Sequence, residues 1–479
     1  MTMRTRAMIA AFAVALAAAV AEAKTTVMLF FDTEDYTCDR SNDAIRDIAN
    51  ILKSEGVRGN FNIVGFLALR LQELGRRDAI DALKFHVLGS QTLYHSRHPE
   101  IAEIGDAADY ETSYRLTMRD EAKAFGMIEG VFGEGRCEFW CPPGNSISPA
   151  AIDVYSDLGV QFSAGCGFCK PSASGPYSDF IARPGSAKLG LWYFNQYHLP
   201  YSGIFHLEAM LPRRDGKQPD YAKALERLAE YDFAGLYMHP HMAVKTDHWD
   251  AVNYRGANHC EWRKWKSAPD RDPCDTAVFY ERLKAFIRML KADPRFEFSD
   301  IASLRDSLRF RRPITAANVP AIRAALLGDF NCVKSPASWS VADVFQACVK
   351  LLRGESGHMP GKAYGFLSRP VGVSSPVEVS AADLRAAAAK IDLGTFVPSQ
   401  IGVGGKMIGP ADFLFAALEV LETGAEKVTV APREQLGSFK EAPGLEKMNI
   451  AKSWVHSPEF ADAHLSERLR LQLWTLRIE

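Results

Sequence analysis

The sequence predicts an α/β protein: a distorted, incomplete (β/α) barrel followed by a smaller, helix-rich C-terminal domain. Short apolar runs alternate with segments of helical periodicity over residues 24–312, as in repeated βα units. No G-x-G-x-x-G motif follows the first apolar run, which disfavours the alternative of an open, doubly wound sheet. After Arg311-Arg312-Pro313 the chain becomes rich in alanine and in helical patterns, so we place a second domain at residues 313–479.

The first βα unit is the clearest. Residues 27–31 (Val-Met-Leu-Phe-Phe) form a continuous apolar run, which is typical of a strand buried on both faces. The next helix is predicted to begin at an N-cap Ser41 and to end at Gly56. Further strands are predicted at residues 60–64, 85–88, 138–140, 160–163, 191–194, 205–207, 234–238 and 296–298, and helices at residues 149–158, 221–231, 277–290 and 301–309.

In the C-terminal region, residues 341–347 and 410–416 share an Ala-Asp-apolar-apolar-x-Ala pattern, which indicates paired helices and a modest internal repeat. The region has no constellation of acids and histidines. His358 and His456 are single histidines that we expect at the surface.

Composition excludes several classes of protein. Among 479 residues the formal net charge is −2 without a basic excess, which argues against a nucleic-acid partner. Beyond the N-terminus no apolar run approaches the ~20 residues that span a bilayer. Residues 1–23 have a positive start, an Ala-rich apolar stretch and an Ala21-Glu22-Ala23 cleavage pattern. They predict a signal peptide, and hence a periplasmic, secreted or cell-surface protein.

Nine cysteines suit an exported protein, in which disulfides persist. Cys260 with Cys274, and Cys332 with Cys348, are close enough in sequence to be candidate pairs, although connectivity cannot be deduced from sequence.

Acidic residues follow the first strand directly, in the run Asp32-Thr33-Glu34-Asp35. Functional groups in a βα barrel lie at the carboxyl ends of the strands. Three adjacent acids raise one another's pKa unless a cation lies between them. The run therefore indicates a metal ligand plus a general base; a solvated turn that caps a helix is the alternative.

Histidines follow two other strands. The loop after the third strand contains His95 and His98, together with Gln91. Two more histidines, His239 and His241, come after the strand at residues 234–238. Grouped at one barrel mouth, such imidazoles would act as metal ligands or acids rather than as structural residues. The later aromatic residues fit either sugar stacking or core packing. They are Trp249, Tyr254, Trp262 and Trp265.

Four motifs in order resemble the polysaccharide deacetylases, the chitooligosaccharide-deacetylase-homology group of carbohydrate esterases. They are the Asp32–Asp35 run, the Gly-x-x-Thr-x-x-His-Ser loop at residues 89–96, Pro142-Pro143-Gly144 and the Leu-x-x-His strand end at residues 236–239. The resemblance covers about residues 26–310. It implies an incomplete βα barrel with a divalent metal, commonly zinc, held by one acid and two histidines, and hydrolysis of N- or O-acetyl groups on glycans.

The resemblance also implies roles for single residues. Asp32 matches the catalytic base and His239 the general acid, while His95 and either Glu34 or Asp35 match metal ligands.

Two positions depart from the family pattern. Gln91 stands where the first metal histidine is expected, and Cys141 stands where an arginine usually orients the base. A glutamine oxygen is a poorer zinc ligand than imidazole. His98 or His86 are alternative ligands in place of Gln91.

Two functional hypotheses follow. The first is a metal-dependent hydrolase that removes acetyl groups from an amino-sugar polysaccharide or oligosaccharide. The alternative is a catalytically degenerate barrel that binds glycan or cell wall without hydrolysis. A glycosidase would need carboxylates on both sides of a sugar bond, and the Asp32–Asp35 run supplies them on one side only.

The C-terminal region is similar to pseudomurein-binding-type repeats at residues 379–384, 396–403 and 411–414. This similarity predicts targeting to cell wall or glycan. The alternative is a helical buttress packed on the barrel.

Overall fold

The computed structural model describes residues 24–165, 190–201, 205–253, 261–308, 312–334, 337–437, 439 and 454–477. The predicted signal peptide lies outside these residues, as do Cys166, Cys169, Cys260 and Tyr254. In the part that is described, no helix has both the length and the apolar character needed to cross a membrane.

A nine-stranded sheet forms the centre of residues 24–312, with the order β6-β7-β5-β4-β3-β2-β1-β8 and with β9 paired to β1. All neighbouring strands are parallel except β6 and β7. The apolar run at residues 27–31 is fully buried in β1, as predicted. The strands are β1 (Thr25–Thr33), β2 (Asn60–Ile63), β3 (Val87–Ser90), β4 (Cys137–Trp140), β5 (Phe162–Ala164), β6 (Leu191–Tyr193), β7 (Gln196–Leu199), β8 (Phe233–Met238) and β9 (Phe296–Phe298).

The two ends of the strand order approach each other through side chains. Tyr201, just after β7, stacks on Tyr237 of β8 with ring centroids 4.5 Å apart. A Cβ built on Gly235 of β8 would lie 2.5 Å from the carbonyl oxygen of Pro200, so only glycine permits this approach. The sheet therefore curves so that the residues after β7 pack against β8.

Helices flank the sheet: α1 (Asp39–Ser54), α2 (Gly65–Glu73), α3 (Arg77–Leu83), α4 (Ile101–Gly105), α5 (Tyr110–Phe132), α6 (Pro149–Asp157), α7 (Tyr221–Leu228), α8 (Pro273–Ala292) and α9 (Ile301–Ser307). Ser41 is not the N-cap of α1: Cys38 occupies that position, and the Ser41 hydroxyl donates to Asp35. The predicted strand at residues 205–207 is a loop that leads into a 3₁₀ turn, Leu207–Met210.

The C-terminal region has five described helices, α10 (Val319–Gly328), α11 (Val341–Leu352), α12 (Ala381–Ala388), α13 (Pro410–Thr423) and α14 (Leu465–Leu471). Three small antiparallel pairs accompany them: β10 (Ile314–Thr315) with β11 (Gly357–His358), β12 (Val377–Ser380) with β15 (Lys427–Val430), and β13 (Ile401–Val403) with β14 (Lys406–Ile408). The two segments with the shared Ala-Asp pattern are α11 and α13, and they pack together through Phe345 and Phe413, whose ring centroids are 5.7 Å apart.

One hydrophobic cluster spans the predicted domain boundary. It joins Trp140, Tyr155 and Phe194 from the sheet region to Phe345 and Trp474 from the C-terminal region. The backbone of Trp192 in β6 also pairs with Arg477 through two N–H···O bonds of 2.9 Å. The two regions therefore share one core.

Three expectations for the C-terminal region are corrected. His358 and His456 are buried, 5% and 2% exposed, rather than at the surface. Cys332 and Cys348 are separate buried thiols instead of a disulfide. Cys348 lies in α11 inside the shared core, where a thiol packs as a small hydrophobic group.

Candidate active site

The carboxyl ends of β1, β2, β3 and β8 meet at one edge of the sheet. In the register, Asp32 of β1 lies beside Asn62 of β2, and Phe31 of β1 lies beside Met238, the residue before His239. The polar residues that follow these strands therefore reach one place, as the βα pattern predicted.

Glu34 lies at the centre of this cluster and is 4% exposed. Its Oε1 is 3.1 Å from Gln91 Nε2, 3.2 Å from His95 Nε2 and 3.5 Å from His239 Nε2. Its Oε2 accepts a 2.8 Å hydrogen bond from Trp249 Nε1. Burial raises the pKa of Glu34, but the adjacent charges of His95 and His239 outweigh it and hold the pKa well below its usual range.

Asp32 is oriented by two neutral donors. Its Oδ1 accepts from Asn62 Nδ2 and lies 2.8 Å from the Tyr201 hydroxyl, while Oδ2 is 3.7 Å from His239 Nε2. Burial raises the pKa of Asp32 to about 7, against the opposing charge of His239. A carboxylate with such a pKa is suited to act as a base near neutral pH.

Cys141, the position at which an arginine was expected, is a buried thiol 3.3 Å from the Tyr201 hydroxyl. Burial raises its pKa well above the usual range, so the thiol is neutral. Tyr201 and Asn62 therefore orient Asp32 without the positive charge that an arginine would add.

His239 is held through its other ring nitrogen. Its Nδ1 is 2.7 Å from Glu208 Oε1, which also accepts a 2.9 Å bond from the His239 backbone N–H. Burial lowers the pKa of His239, but Glu34, Glu208 and Asp32 outweigh this and raise it to about 10. The ring of His248 lies 4.7 Å away.

His95 is 3% exposed and has a left-handed backbone conformation, φ 56°. Its Nδ1 is 3.6 Å from Asp250 Oδ2, an oxygen that also accepts a 2.8 Å bond from the Ser96 hydroxyl. Burial lowers the pKa of His95, and the charge of Glu34 more than compensates, so the pKa is raised overall.

Asp35 points away from the cluster. Its Oδ1 accepts from the backbone N–H and hydroxyl of Thr37, and its Oδ2 accepts a 2.6 Å bond from Ser41 in α1. Of the two predicted metal acids, Glu34 lies in the site. Asp35 instead accepts hydrogen bonds at the start of α1.

The two alternative histidines have other partners. His86 accepts from Gly59 N at Nδ1, and its Nε2 lies 3.0 Å from the Ala49 carbonyl oxygen, so both ring nitrogens serve the core. His98 Nδ1 is 2.8 Å from Glu103 Oε2.

Gln91 reaches the site with the donor end of its amide. Its Nε2 faces Glu34, while its buried Oε1 has no hydrogen-bond partner among the described residues. Buried polar atoms are normally paired, so this oxygen has the capacity to accept a hydrogen bond or to bind a cation.

The donor atoms fit a divalent metal. Those of Asp32, Glu34 and His239 lie within 4.8 Å of one another, and His95 contacts Glu34 as well. Imidazole nitrogens and carboxylate oxygens are the donors that zinc takes in catalytic sites. Among the described residues, Glu208, His239 and His248 form a second such group, which shares His239.

Sequence reasoning missed several residues of the site. Asn62 had one available signal, since it lies near the carboxyl end of a predicted strand, and Trp249 was noted only as an aromatic residue. Both Trp249 and Trp265 are buried, 0% and 8% exposed, so core packing is the alternative that applies to them. The residues without a sequence signal are Tyr201, Glu208, His248 and Asp250.

The comparisons with known proteins give matches among solved structures but not among family models or curated proteins. No family model matches the chain, and no curated protein matches it. Among solved structures, a CE4 family pseudoenzyme from Bacillus anthracis is 14% identical over 59% of this chain and 65% of its own, with a TM-score of 0.32. A family 4 carbohydrate esterase from Streptomyces lividans, solved in complex with acetate, is 12% identical over 58% and 91%, with a TM-score of 0.30.

A third solved structure, the 4-alpha-glucanotransferase from Thermococcus litoralis, is 11% identical over 60% of this chain and 41% of its own, with a TM-score of 0.40. These values are too low to assign the chain to a family or an activity. The topology of the chain itself shows an α/β protein with a mostly parallel sheet, and the carboxylate–histidine site is interpreted from its own geometry.

Proposed function

We propose that this chain is a metal-assisted hydrolase that removes acetyl groups from an amino-sugar glycan. The observation that carries the proposal is a cluster of two carboxylates and two imidazoles at the carboxyl end of a mostly parallel sheet. The cluster consists of Asp32, Glu34, His95 and His239. The motif resemblance in the sequence supports the substrate class, and the pattern of residues 1–23 supports an exported protein.

Glu34 and His95 would hold the metal, with the donor atoms of Asp32 and His239 close to Glu34. A divalent metal such as zinc would supply polarisation of the acetyl carbonyl and stabilise the negative charge that develops on its oxygen. Trp249 donates a hydrogen bond to Glu34, and Asp250 lies 3.6 Å from His95 Nδ1. Groups in these positions commonly orient metal ligands.

The proton transfers are assigned to Asp32 and His239. Asp32 accepts the proton of the attacking water at Oδ2, because Asn62 and Tyr201 occupy Oδ1. His239 donates its Nε2 proton to the leaving nitrogen, while Glu208 holds Nδ1 and keeps the ring in place.

The glycan-binding alternative is favoured by Gln91, whose amide donates to Glu34 where a second ligand imidazole was expected. The other departure, Cys141, does not favour it, because Tyr201 and Asn62 already orient Asp32.

The test combines metal content with acetate release from N-acetylglucosamine oligomers. We expect the mature protein to bind one divalent metal, Asp32→Asn to keep it and lose acetate release by about 10²–10⁴-fold, and His95→Ala to lose the metal. His464→Ala, at an exposed histidine, is the control and should change neither. Undiminished acetate release by Asp32→Asn would contradict the role of Asp32.

Gln91→His separates the two functions. In an active enzyme the added imidazole should tighten zinc binding and preserve or raise acetate release. A degenerate binding protein would remain inert towards every acetylated glycan, with or without the substitution.

A further inference from the structure

The C-terminal region contributes a short segment, residues 454–457, to the mouth of the candidate active site. The ring centroid of Trp454 lies 6.4 Å from that of His95. Trp454 Cε2 would lie 3.4 Å from a Cβ on Gly144, which belongs to the Pro142-Pro143-Gly144 loop. Trp454 therefore lies between a proposed metal ligand and the Pro142-Pro143-Gly144 loop.

The segment is anchored tightly on the barrel. Val455 is fully buried, and its Cβ would lie 3.0 Å from a Cβ on Gly144, whose φ is +55°. His456 Nδ1 is 2.8 Å from Glu100 Oε1, with both side chains almost completely buried, and Ser457 N donates to Glu103. Glu100 and Glu103 cap α4, just after the loop that carries His95. The position of Trp454 relative to His95 is therefore fixed by buried contacts.

Trp454 itself is 52% exposed, although its neighbours Val455 and His456 are buried. A tryptophan that its backbone keeps half exposed forgoes part of the hydrophobic stabilisation that burial would give. Its flat apolar ring beside the histidines and carboxylates of the site suits an amphipathic ligand ring, apolar on its C–H face and hydroxylated at its edge. Pyranose rings have this character.

We propose that Trp454 is a specificity-determining residue that stacks on a sugar ring of the glycan next to the reacting acetyl group, so that the C-terminal region completes the substrate site. This inference rests on the proposed function. It assigns to Trp454 the sugar stacking that the sequence had considered for the aromatic residues at 249–265.

The test measures binding of an N-acetylglucosamine tetramer by calorimetry to the full-length, metal-loaded protein in an Asp32→Asn background, which prevents turnover. Trp454→Ala should weaken binding roughly tenfold and Trp454→Phe should restore most of it. Met407→Ala, at a similarly exposed apolar residue in β14, should bind as the parent does. Metal content and Tm should stay at the parent values in all three variants.

Two results would overturn the proposal, and they can be told apart. Tetramer binding that is unchanged in Trp454→Ala would remove Trp454 from the site and leave the proposed function intact. Failure of the parent protein to bind the tetramer would overturn the proposed substrate class together with this inference.

In the active protein, Trp454→Ala should raise KM about tenfold and leave kcat within about twofold.

Discussion

At the scale of single residues, the environment of Asp32 is what makes it a candidate base. The carboxylate is buried, accepts hydrogen bonds at Oδ1 from the neutral Asn62 and Tyr201, and faces His239 through Oδ2. An arginine at position 141 would lower the pKa of Asp32 by its charge, whereas the thiol present there adds none. Burial raises the pKa of Asp32 to about 7 although the charge of His239 opposes it, and the thiol at position 141 adds no second opposing charge.

Tyr201→Phe tests this interpretation. The Tyr201 hydroxyl lowers the pKa of Asp32 by donating to its charged form, so its loss should raise that pKa further. Because a base must be deprotonated, the acidic limb of kcat/KM against pH should move to higher pH, by about one unit. The control Tyr114→Phe, on the surface of α5, should leave the limb in place. An unmoved limb in Tyr201→Phe would show that Asp32 does not set it.

At the scale of elements, α5 is the longest described helix of the barrel region, and sequence patterns did not predict it. Its buried face contains Ser113, Thr117 and Glu121 before Ala124 and Ile128. The buried positions recur with the helical period, but the first three are polar, so the sequence shows no apolar stripe there. Glu121 accepts a hydrogen bond from the Tyr155 hydroxyl, which lies 2.8 Å from Ser90 Oγ at the end of β3. The helix thus carries a buried carboxyl group behind the loop that contains Gln91.

Glu121→Gln should change how stability depends on pH. Burial raises the pKa of Glu121 to about 8, from 4.5 for a free side chain. Between these values the folded protein keeps a proton that the unfolded chain has released, so the contribution of Glu121 to stability decreases as pH rises through this window. Relative to wild type, the variant should gain stability from pH 5 to pH 8, by a few kcal/mol.

Urea unfolding at several pH values measures this gain. Glu129→Gln on the same helix is the control, because Glu129 is only partly buried. Parallel stability curves for wild type and Glu121→Gln would contradict a protonated Glu121.

At the scale of the whole molecule, the C-terminal region shares one hydrophobic core with the sheet region. The cluster around Trp140 and Tyr155 continues into α11, α13 and Trp474 without interruption. The Tyr193 hydroxyl donates to Leu469 O, and Thr475 Oγ1 accepts from Phe194 N. We infer that the helical buttress describes this region better than a separable targeting module does.

Truncation after Arg312 tests the buttress. Removing residues 313–479 would expose the apolar faces of β6 and α6, so the truncated barrel should aggregate or unfold far below the Tm of the full-length chain. Thermal unfolding and size-exclusion chromatography of both proteins, purified in parallel, measure this. A soluble, monomeric barrel with the Tm of the full chain would instead favour a separable module.

The sequence by itself determined the alternation of strands and helices and the placement of the chemistry. Strands buried on both faces tend to be continuous apolar runs, and the loops at the carboxyl ends of parallel strands share one edge of the sheet. The sequence alone therefore predicted that five residues lie near one another: Asp32, Glu34, Gln91, His95 and His239. The positions of β1, β2, β4 and β9 were predicted closely, although only β1 contains a long continuous apolar run.

Only the tertiary structure decided which side chains face the site and which groups surround them. Glu34 and Asp35 are adjacent in sequence and both follow the end of β1 at Thr33, yet Glu34 faces the histidines whereas Asp35 accepts hydrogen bonds from Thr37 and from Ser41 of α1. Tyr201, Glu208 and Trp454 reach the site from loops far along the chain, and their positions depend on packing that local periodicity does not encode.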